Sequence, residues 1–462
     1  MAFQDKHPVL WVGFWLRSWF LEQRARRGRA IYLRYFGPVM ILMMLSFVES
    51  TEVSESSPYS AALAVAPSRL ENSASNHAET ALVDTLMGRF MEHWKIPAAS
   101  VAILRDGALV YAKGFGHTDT SYSVATDPHH LFRIASVSKL VTAVAVLKLQ
   151  EQGKLSLDDK VFGELTLLPV AKYGAPWQKR AYDITVRHLL EHTSGFSWRT
   201  LGDPAFQPQR IAADLDVPLP ITRPQLIRWQ LQQHLPYRPG TRYSYSNVGY
   251  MMLHEIVEQV SGMTYEDFVR AYVLLPAGIH DMRLGGSLAE QRHFREVMYH
   301  DHPGAPLRES VVNGDTLAPR PYGGTDIDLL GGAGGWTASA EDLARLVAAI
   351  DGNPTFPDIL SEASVATLTK RGKSRYPLGW KTVNGNRWVR TGSLAGTNAI
   401  VYRLDERTTY VAIINQSQWN EYRFNRTMHA ALSRALATIN TWPEDNLFEL
   451  PATSPTPTLA VK

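Results

Sequence analysis

The 462-residue sequence contains no cysteine. That excludes a disulfide framework, a cysteine-ligated zinc and a thiol nucleophile. It suits an oxidising compartment, where a stray thiol is a liability, although cytosolic chains also lack cysteine. Charge of one sign is scarce: 47 Lys+Arg against 44 Asp+Glu leave +3. No broad polyanion-binding face is implied, and nucleic acid is not an expected partner. Long apolar runs are missing as well. The uncharged run at 35–48 has 14 residues, where a spanning helix needs about 20. G-x-S-x-G, H-E-x-x-H and Walker motifs are absent, and so is any internal repeat. What is present is ordinary globular usage, 45% hydrophobic and 20% charged. It excludes a mainly disordered chain, a coiled coil and a multi-span membrane protein.

The first residues differ from the rest. Lys6, Arg17, Arg24, Arg26, Arg27, Arg29 and Arg34 face only Asp5 and Glu22, a net +5 within residues 1–34. The remaining 428 residues therefore carry −2, and the pI of 8.8 belongs to the leader. A basic stretch followed by a short apolar run reads as a secretory leader or uncleaved anchor over 1–48. Positive charge ahead of the run would leave the body exported: periplasmic, or membrane-associated and facing outward. Ala62, Ala64 and Ala66 offer small-residue cleavage sites. An Arg-rich mitochondrial transit peptide or a buried N-terminal helix are the competing readings. Residues 49–77, rich in Ser, Ala and Glu, read as a linker. Residues 448–462, with three prolines, read as a loose tail. The folded body is expected over 78–447.

Within it, 99–104 and 108–113 are apolar and flank Arg105-Asp106-Gly107, a hairpin signal. Residues 399–404 and 409–414 suggest a second hairpin, and 387–390 a strand before it. Between these ends the pattern is helical. Residues 136–152 are apolar nearly all round, which marks a buried helix. Helices are also expected over 247–260 and 340–350. Strands at both chain ends with helices between predict a mixed α/β fold: an antiparallel sheet built from both ends, flanked by helices, with an inserted helical subdomain.

Three places carry chemistry. Ser136-Val137-Ser138-Lys139 is S-x-x-K at the start of the buried helix. Residues three apart share a helix face, so Ser136 and Lys139 can touch. A serine hydroxyl needs a base to take its proton, and a lysine among apolar residues loses its preference for charge. The bland alternative is an N-cap serine with a snorkelling lysine. Tyr245-Ser246-Asn247 offers a phenol that neighbouring cations would acidify, and an amide that can orient a lysine or a substrate. Asn247 could equally be a helix N-cap. Arg390-Thr391-Gly392-Ser393 sits at a strand end, where glycine would let a substrate approach the backbone and a cation with a hydroxyl could hold a carboxylate. The alternative there is a strand ending in a turn. His192 reads as structural, and the glycines at 331–335 as a tight backbone crossing.

Phe132-Arg133-Ile134-Ala135-Ser136-Val137-Ser138-Lys139 resembles the nucleophile segment of the serine β-lactamase and penicillin-binding-protein-like family, of the class C β-lactamase and related esterase type. Ile184-Thr185-Val186-Arg187-His188-Leu189-Leu190-Glu191-His192-Thr193-Ser194-Gly195 and Tyr245-Ser246-Asn247-Val248-Gly249-Tyr250 are similar too. So are Gly334-Gly335-Trp336 and Leu378-Gly379-Trp380, all in the family's order from about 90 to 415. The resemblance implies a serine hydrolase working through an acyl-enzyme on Ser136, with Lys139 as activating partner and Tyr245 as general base or acid. Asn247 would orient, backbone N–H groups of Ser136 and Ser393 would form the oxyanion hole, and Arg390, Thr391 and Gly392 would bind substrate. No metal or other cofactor is implied. The substrate would be a small molecule or peptide with a peptide, amide or ester acyl group. A β-lactamase or carboxylesterase proper, and a non-catalytic scaffold keeping the fold, are the alternatives. The family's third motif begins with Lys or His. Arg390 keeps that charge but cannot move protons, so it is expected to grip an anionic group of the substrate. Oligomeric state is left open.

Overall fold

A computed structural model of the chain describes residues 70–449, apart from 370–375 and 419–420. The leader expected over 1–48, most of the linker and most of the tail lie outside the described residues. Among the described residues no helix is long and apolar enough to cross a membrane.

The two expected hairpins form the centre. Strand β1 (Ala98–Arg105) and β2 (Ala108–Gly116) pair antiparallel across Asp106-Gly107. Both turn residues take positive φ, 52° and 82°, the geometry that matches a two-residue turn to the twist of its strands. From the other chain end come β3 (Thr382–Asn384), β4 (Arg387–Leu394), β5 (Thr397–Arg403) and β6 (Thr408–Ile414). They join in one six-stranded antiparallel sheet of order β3-β4-β5-β6-β1-β2. Chain start and chain end thus meet at the β1–β6 seam, as the sequence predicts.

Alternation along β1 shows that both sheet faces are covered. Ala99, Val101 and Ile103 join Val83, Met87 and Phe90 of α1 (Ala81–Trp94) and Phe424, Met428 and Leu432 of the terminal helix. Ala98, Ala102 and Leu104 face the other way, into the larger core with α2 (Ser138–Glu151) and α4 (Ala340–Ala348). Helix α2 is buried without a break from Ser138 to Leu147. It is the axis around which the inserted helical region packs, including α3 (Asn247–Ser261), buried from Asn247 to Val257. Gly262 ends α3 at φ 73°, the left-handed cap glycine favours.

The expected domain edges need correction. Leu70 is buried, and Asn72 ties the supposed linker to the sheet. Its Oδ1 accepts from Gly114 N (2.7 Å) and its Nδ2 donates to Thr126 O (2.8 Å). Ser75 Oγ bonds Ala112 in both directions. Polar composition suggested a linker, but these polar side chains satisfy β2 and its neighbouring loop. Phe448 likewise packs on Phe356 and Arg345 rather than hanging loose.

Asn72→Ala should strip a partner from two backbone groups at once. The expected cost is about 1–3 kcal/mol, read as a lower midpoint of denaturant unfolding. An unchanged midpoint would return residues 70–77 to the linker.

Candidate active site

The site is assembled at the mouth of α2. Sequence periodicity ran the helix back to residue 136, but the α-helix begins at Ser138, and Ala135–Val137 form one tight 3-10 turn. Ala135 sits at φ +48°, a left-handed conformation costly for a residue with a Cβ. Its neighbour Ser136 is half-buried at the surface of the turn.

Lys139 follows one turn later and is wholly buried. Its Nζ donates to Asn247 Oδ1 (2.7 Å) and Ala333 O (2.5 Å) and lies 3.3 Å from Ser136 Oγ. The first two oxygens only accept. A neutral amine can satisfy both with its two N–H groups, which leaves its lone pair for a hydroxyl, that of Ser136 or of Tyr245. Burial pushes the lysine below its usual range, with the Arg390 charge adding to that and Tyr245 opposing it.

Tyr245 Oη stands 2.6 Å from Ser136 Oγ, and the Lys139 ammonium lies 4.9 Å from the phenol ring centre. Burial alone would raise the phenol, but the positive charges of Lys139 and Arg390 and hydrogen bonds from Lys139 and Ser136 bring it below its ordinary value. Lysine and tyrosine are thus both held below their ordinary values, each acting on the other as a close pair.

Asn247 is not the N-cap. Ser246 takes that place, its Oγ accepting from Gly249 N. This frees Asn247, first residue of α3, to face the site. Its Nδ2 donates to Asp203 Oδ2 (2.7 Å), which fixes its Oδ1 toward Lys139. Asp203 was not found in the sequence. It is a lone acid in a loop, and its partner is set by tertiary structure alone. The Gly331–Gly335 crossing is as tight as expected: a Cβ at Gly332 would lie 2.8 Å from Thr142 Oγ1, and one at Gly335 2.8 Å from Ile327 O. What the sequence did not reveal is that this crossing delivers the Ala333 carbonyl to Lys139.

His192 brackets the tyrosine. Its carbonyl accepts from Ser244 N and its ring Nδ1 from Ser246 N, and its ring packs 4.5 Å from that of Tyr245. Burial first, then the Lys139 and Arg390 charges, hold it far below the usual histidine range. A neutral ring with an unprotonated Nδ1 is what the Ser246 N–H requires.

The third motif departs from expectation. Arg390 is 2% exposed. Its guanidinium donates from Nε (2.7 Å) and a terminal nitrogen (2.5 Å) to the carbonyl oxygen of Ser136. It reaches under the nucleophile turn instead of outward, so the grip on a substrate anion is replaced by a grip on the backbone. Gly392 is also reassigned. A Cβ there would lie 2.2 Å from Ile134 O and 2.8 Å from Ser136 N. The glycine admits the nucleophile turn, not a substrate, against strand β4. Thr391 and Ser393 are half-buried beside it, with Thr391 Oγ1 3.3 Å from Lys381 Nζ and Ser393 Oγ bonded to Asn398. Strand β3 pairs with β4 only up to Val389, so among the described residues no strand lies beside the outer edge of β4 from Arg390 onward.

The family model described as Beta-lactamase matches residues 83–435. Penicillin-binding protein 4* of Bacillus subtilis is 27% identical over 341 residues, 70% of this chain and 69% of that protein. Esterase EstB of Burkholderia gladioli is 27% identical over 319 residues, 65% of this chain and 77% of its own. The D-amino acid amidase of Ochrobactrum anthropi superposes with a TM-score of 0.57 at 19% identity, covering 78% of this chain and 98% of that one. That last likeness speaks to the fold alone.

Arg390 lowers both members of the lysine–tyrosine unit. Arg390→Gln removes its charge and should move the rising limb of a kcat/KM–pH profile to higher pH. Arg390→Lys keeps the charge, loses the two-pronged grip and should leave the limb in place with a lower plateau. A limb that stays put in Arg390→Gln would separate this residue from the electrostatics of the pair.

Proposed function

The chain belongs to the Beta-lactamase family, a family of serine hydrolases, and from its site we propose that Ser136 attacks the carbonyl of a peptide, amide or ester substrate. The observation that carries this reading is one hydroxyl within reach of two groups able to take its proton, Tyr245 Oη at 2.6 Å and Lys139 Nζ at 3.3 Å. When the pair lacks one proton it accepts that of Ser136 as Oγ bonds to the carbonyl carbon. The tetrahedral centre then expels the alcohol or amine, and the pair returns the proton to it. Water repeats the sequence on the acyl-enzyme and restores Ser136. Backbone N–H groups of Ser136 and Ser393 are assigned to the carbonyl oxygen as it gains charge. Tyr245, Lys139 and Asn247 act as a set: Asn247 holds Lys139, and Lys139 lowers Tyr245. Thr391 lies along the open edge of β4, where the substrate backbone can align.

We also propose export to the cell envelope. The +5 leader, the apolar run at 35–48 and the absence of cysteine support it.

Ser136→Ala should abolish turnover with the fold intact, and intact mass after incubation with a fluorophosphonate should show one adduct on the parent protein and none on the variant. Full turnover in Ser136→Ala would sink the mechanism. A disulfide-dependent alkaline phosphatase fused after residue 80 should be active. An inactive fusion, with a cytoplasmic reporter bright at the same junction, would overturn the export reading.

A further inference from the structure

Away from the active site, one cleft gathers charge of a single sign. The 3-10 turn Lys179–Asp183 and the turn at 238–241 line a cleft of about 540 Å³. None of the residues assigned to the active site lines it. Three cations do, Lys179, Arg180 and Arg238, against one acid, Asp183. That acid has a lysine of its own, with Lys160 Nζ 3.6 Å from its carboxylate. The chain beyond residue 34 carries −2 in all, so the positive surplus here is local.

The three cations differ in what they do. Arg180 is a strut. Its Nε donates to Gln178 Oε1 (2.8 Å) and a terminal nitrogen donates to the Leu235 carbonyl, which ties one wall to the chain leading into the other. Gly240 N donates to Thr193 O (2.8 Å), so the second wall is braced against the loop that carries His192. The cleft is therefore formed before anything enters it. Lys179 and Arg238 are exposed, and among the described residues neither side chain has a hydrogen-bond or ion-pair partner. Two cations are left over for a ligand.

Aromatic side chains stand at both ends of the same segment. Trp177 is 64% exposed and Tyr182 36%. A tryptophan or tyrosine beside lysine and arginine is the composition proteins place at the level of lipid headgroups, since each ring offers an apolar body and a polar tip. The cations supply the attraction to anionic lipid. Two free cations match a headgroup phosphate, whereas a nucleic-acid backbone is held by cations spread over many phosphates.

We propose that this cleft takes the phosphate of an anionic lipid headgroup, with Trp177 and Tyr182 resting in the interface, and so seats the folded body on a membrane surface. The seat is separate from the leader at 1–48 and independent of the reaction at Ser136.

The test sediments the full chain with vesicles, the leader being common to every variant. The parent should bind vesicles of about three parts phosphatidylcholine to one of phosphatidylglycerol more tightly than phosphatidylcholine alone, and less tightly as salt rises. Lys179→Glu with Arg238→Glu should lower that binding about tenfold or more, and Trp177→Ser severalfold. Arg89→Glu with Arg308→Glu makes the same charge change on exposed residues outside the cleft and should cost about twofold at most. Each variant should keep the parent's unfolding midpoint; if the glutamate pair does not, Lys179→Gln with Arg238→Gln replaces it, with a smaller loss expected. A parent with no preference for phosphatidylglycerol would overturn the proposal, and so would equal losses in the two charge-reversed pairs. Parent-like binding by the cleft variant would assign the vesicle contact to the leader and overturn it as well. Calorimetric titration with inorganic phosphate separates the remaining source: heat lost in the cleft variant while vesicle binding is unchanged makes this a free-anion site and rejects the lipid seat.

Discussion

Lys139 is wholly buried, and beside the Tyr245 phenol its close oxygen neighbours are an amide, a carbonyl and a hydroxyl, none of them charged. A permanent ammonium in such a place costs several kcal/mol unless fully partnered. Much of the architecture follows from that constraint. Helix α2 has to be apolar on every side to seal the lysine. Helix α3 has to begin one residue earlier than an asparagine cap would set it, so that Ser246 caps and Asn247 faces inward. The glycine crossing near 333 has to be tight enough to bring a carbonyl to Nζ. A residue large enough to obstruct any of these approaches would leave an unpaired donor in the core.

The nucleophile turn is held from below by the opposite logic. Its backbone is strained at Ala135, and strain persists only where surrounding structure over-determines it. Two devices do so. Gly392 lets β4 come within contact of Ile134 and Ser136, and Arg390 closes on the Ser136 carbonyl with two donors. An arginine suits this task because its planar fork is rigid and always charged. The third motif of this chain is therefore a support for the nucleophile.

Much of this was legible in the sequence because it rests on local pattern. The hairpin at Asp106-Gly107, the strands at 399–414 and the buried helix follow from period and turn chemistry, which act over a few residues. Ser136, Lys139 and Tyr245 could be named because their spacing and motif context are linear. The direction of Arg390 could not be read. Whether a strand-end cation turns out to a substrate or in to a backbone carbonyl depends on how closely β4 approaches the turn. Asp203 and the Ala333 carbonyl were hidden for the same reason: each meets the site only through long-range packing. The linker at 70–77 misled because polar composition marks a loop equally well whether its side chains face water or cap a sheet.

The electrostatics of the site favour a charge that appears and vanishes over one that stays. Arg390 and Lys139 place positive charge near Ser136, and Asp203, a carboxylate that acts on Lys139, is turned to Asn247. As a carbonyl oxygen gains charge during attack, fixed dipoles and buried cations stabilise it without reorganising. A permanent carboxylate on the substrate would act on the same groups at all times. It would offset the Arg390 charge, raise Tyr245 and Lys139 back toward their ordinary values, and weaken the base that Ser136 needs. Families that bind such substrates need a cation reserved for them. Here the candidate cation is spent on the protein's own backbone.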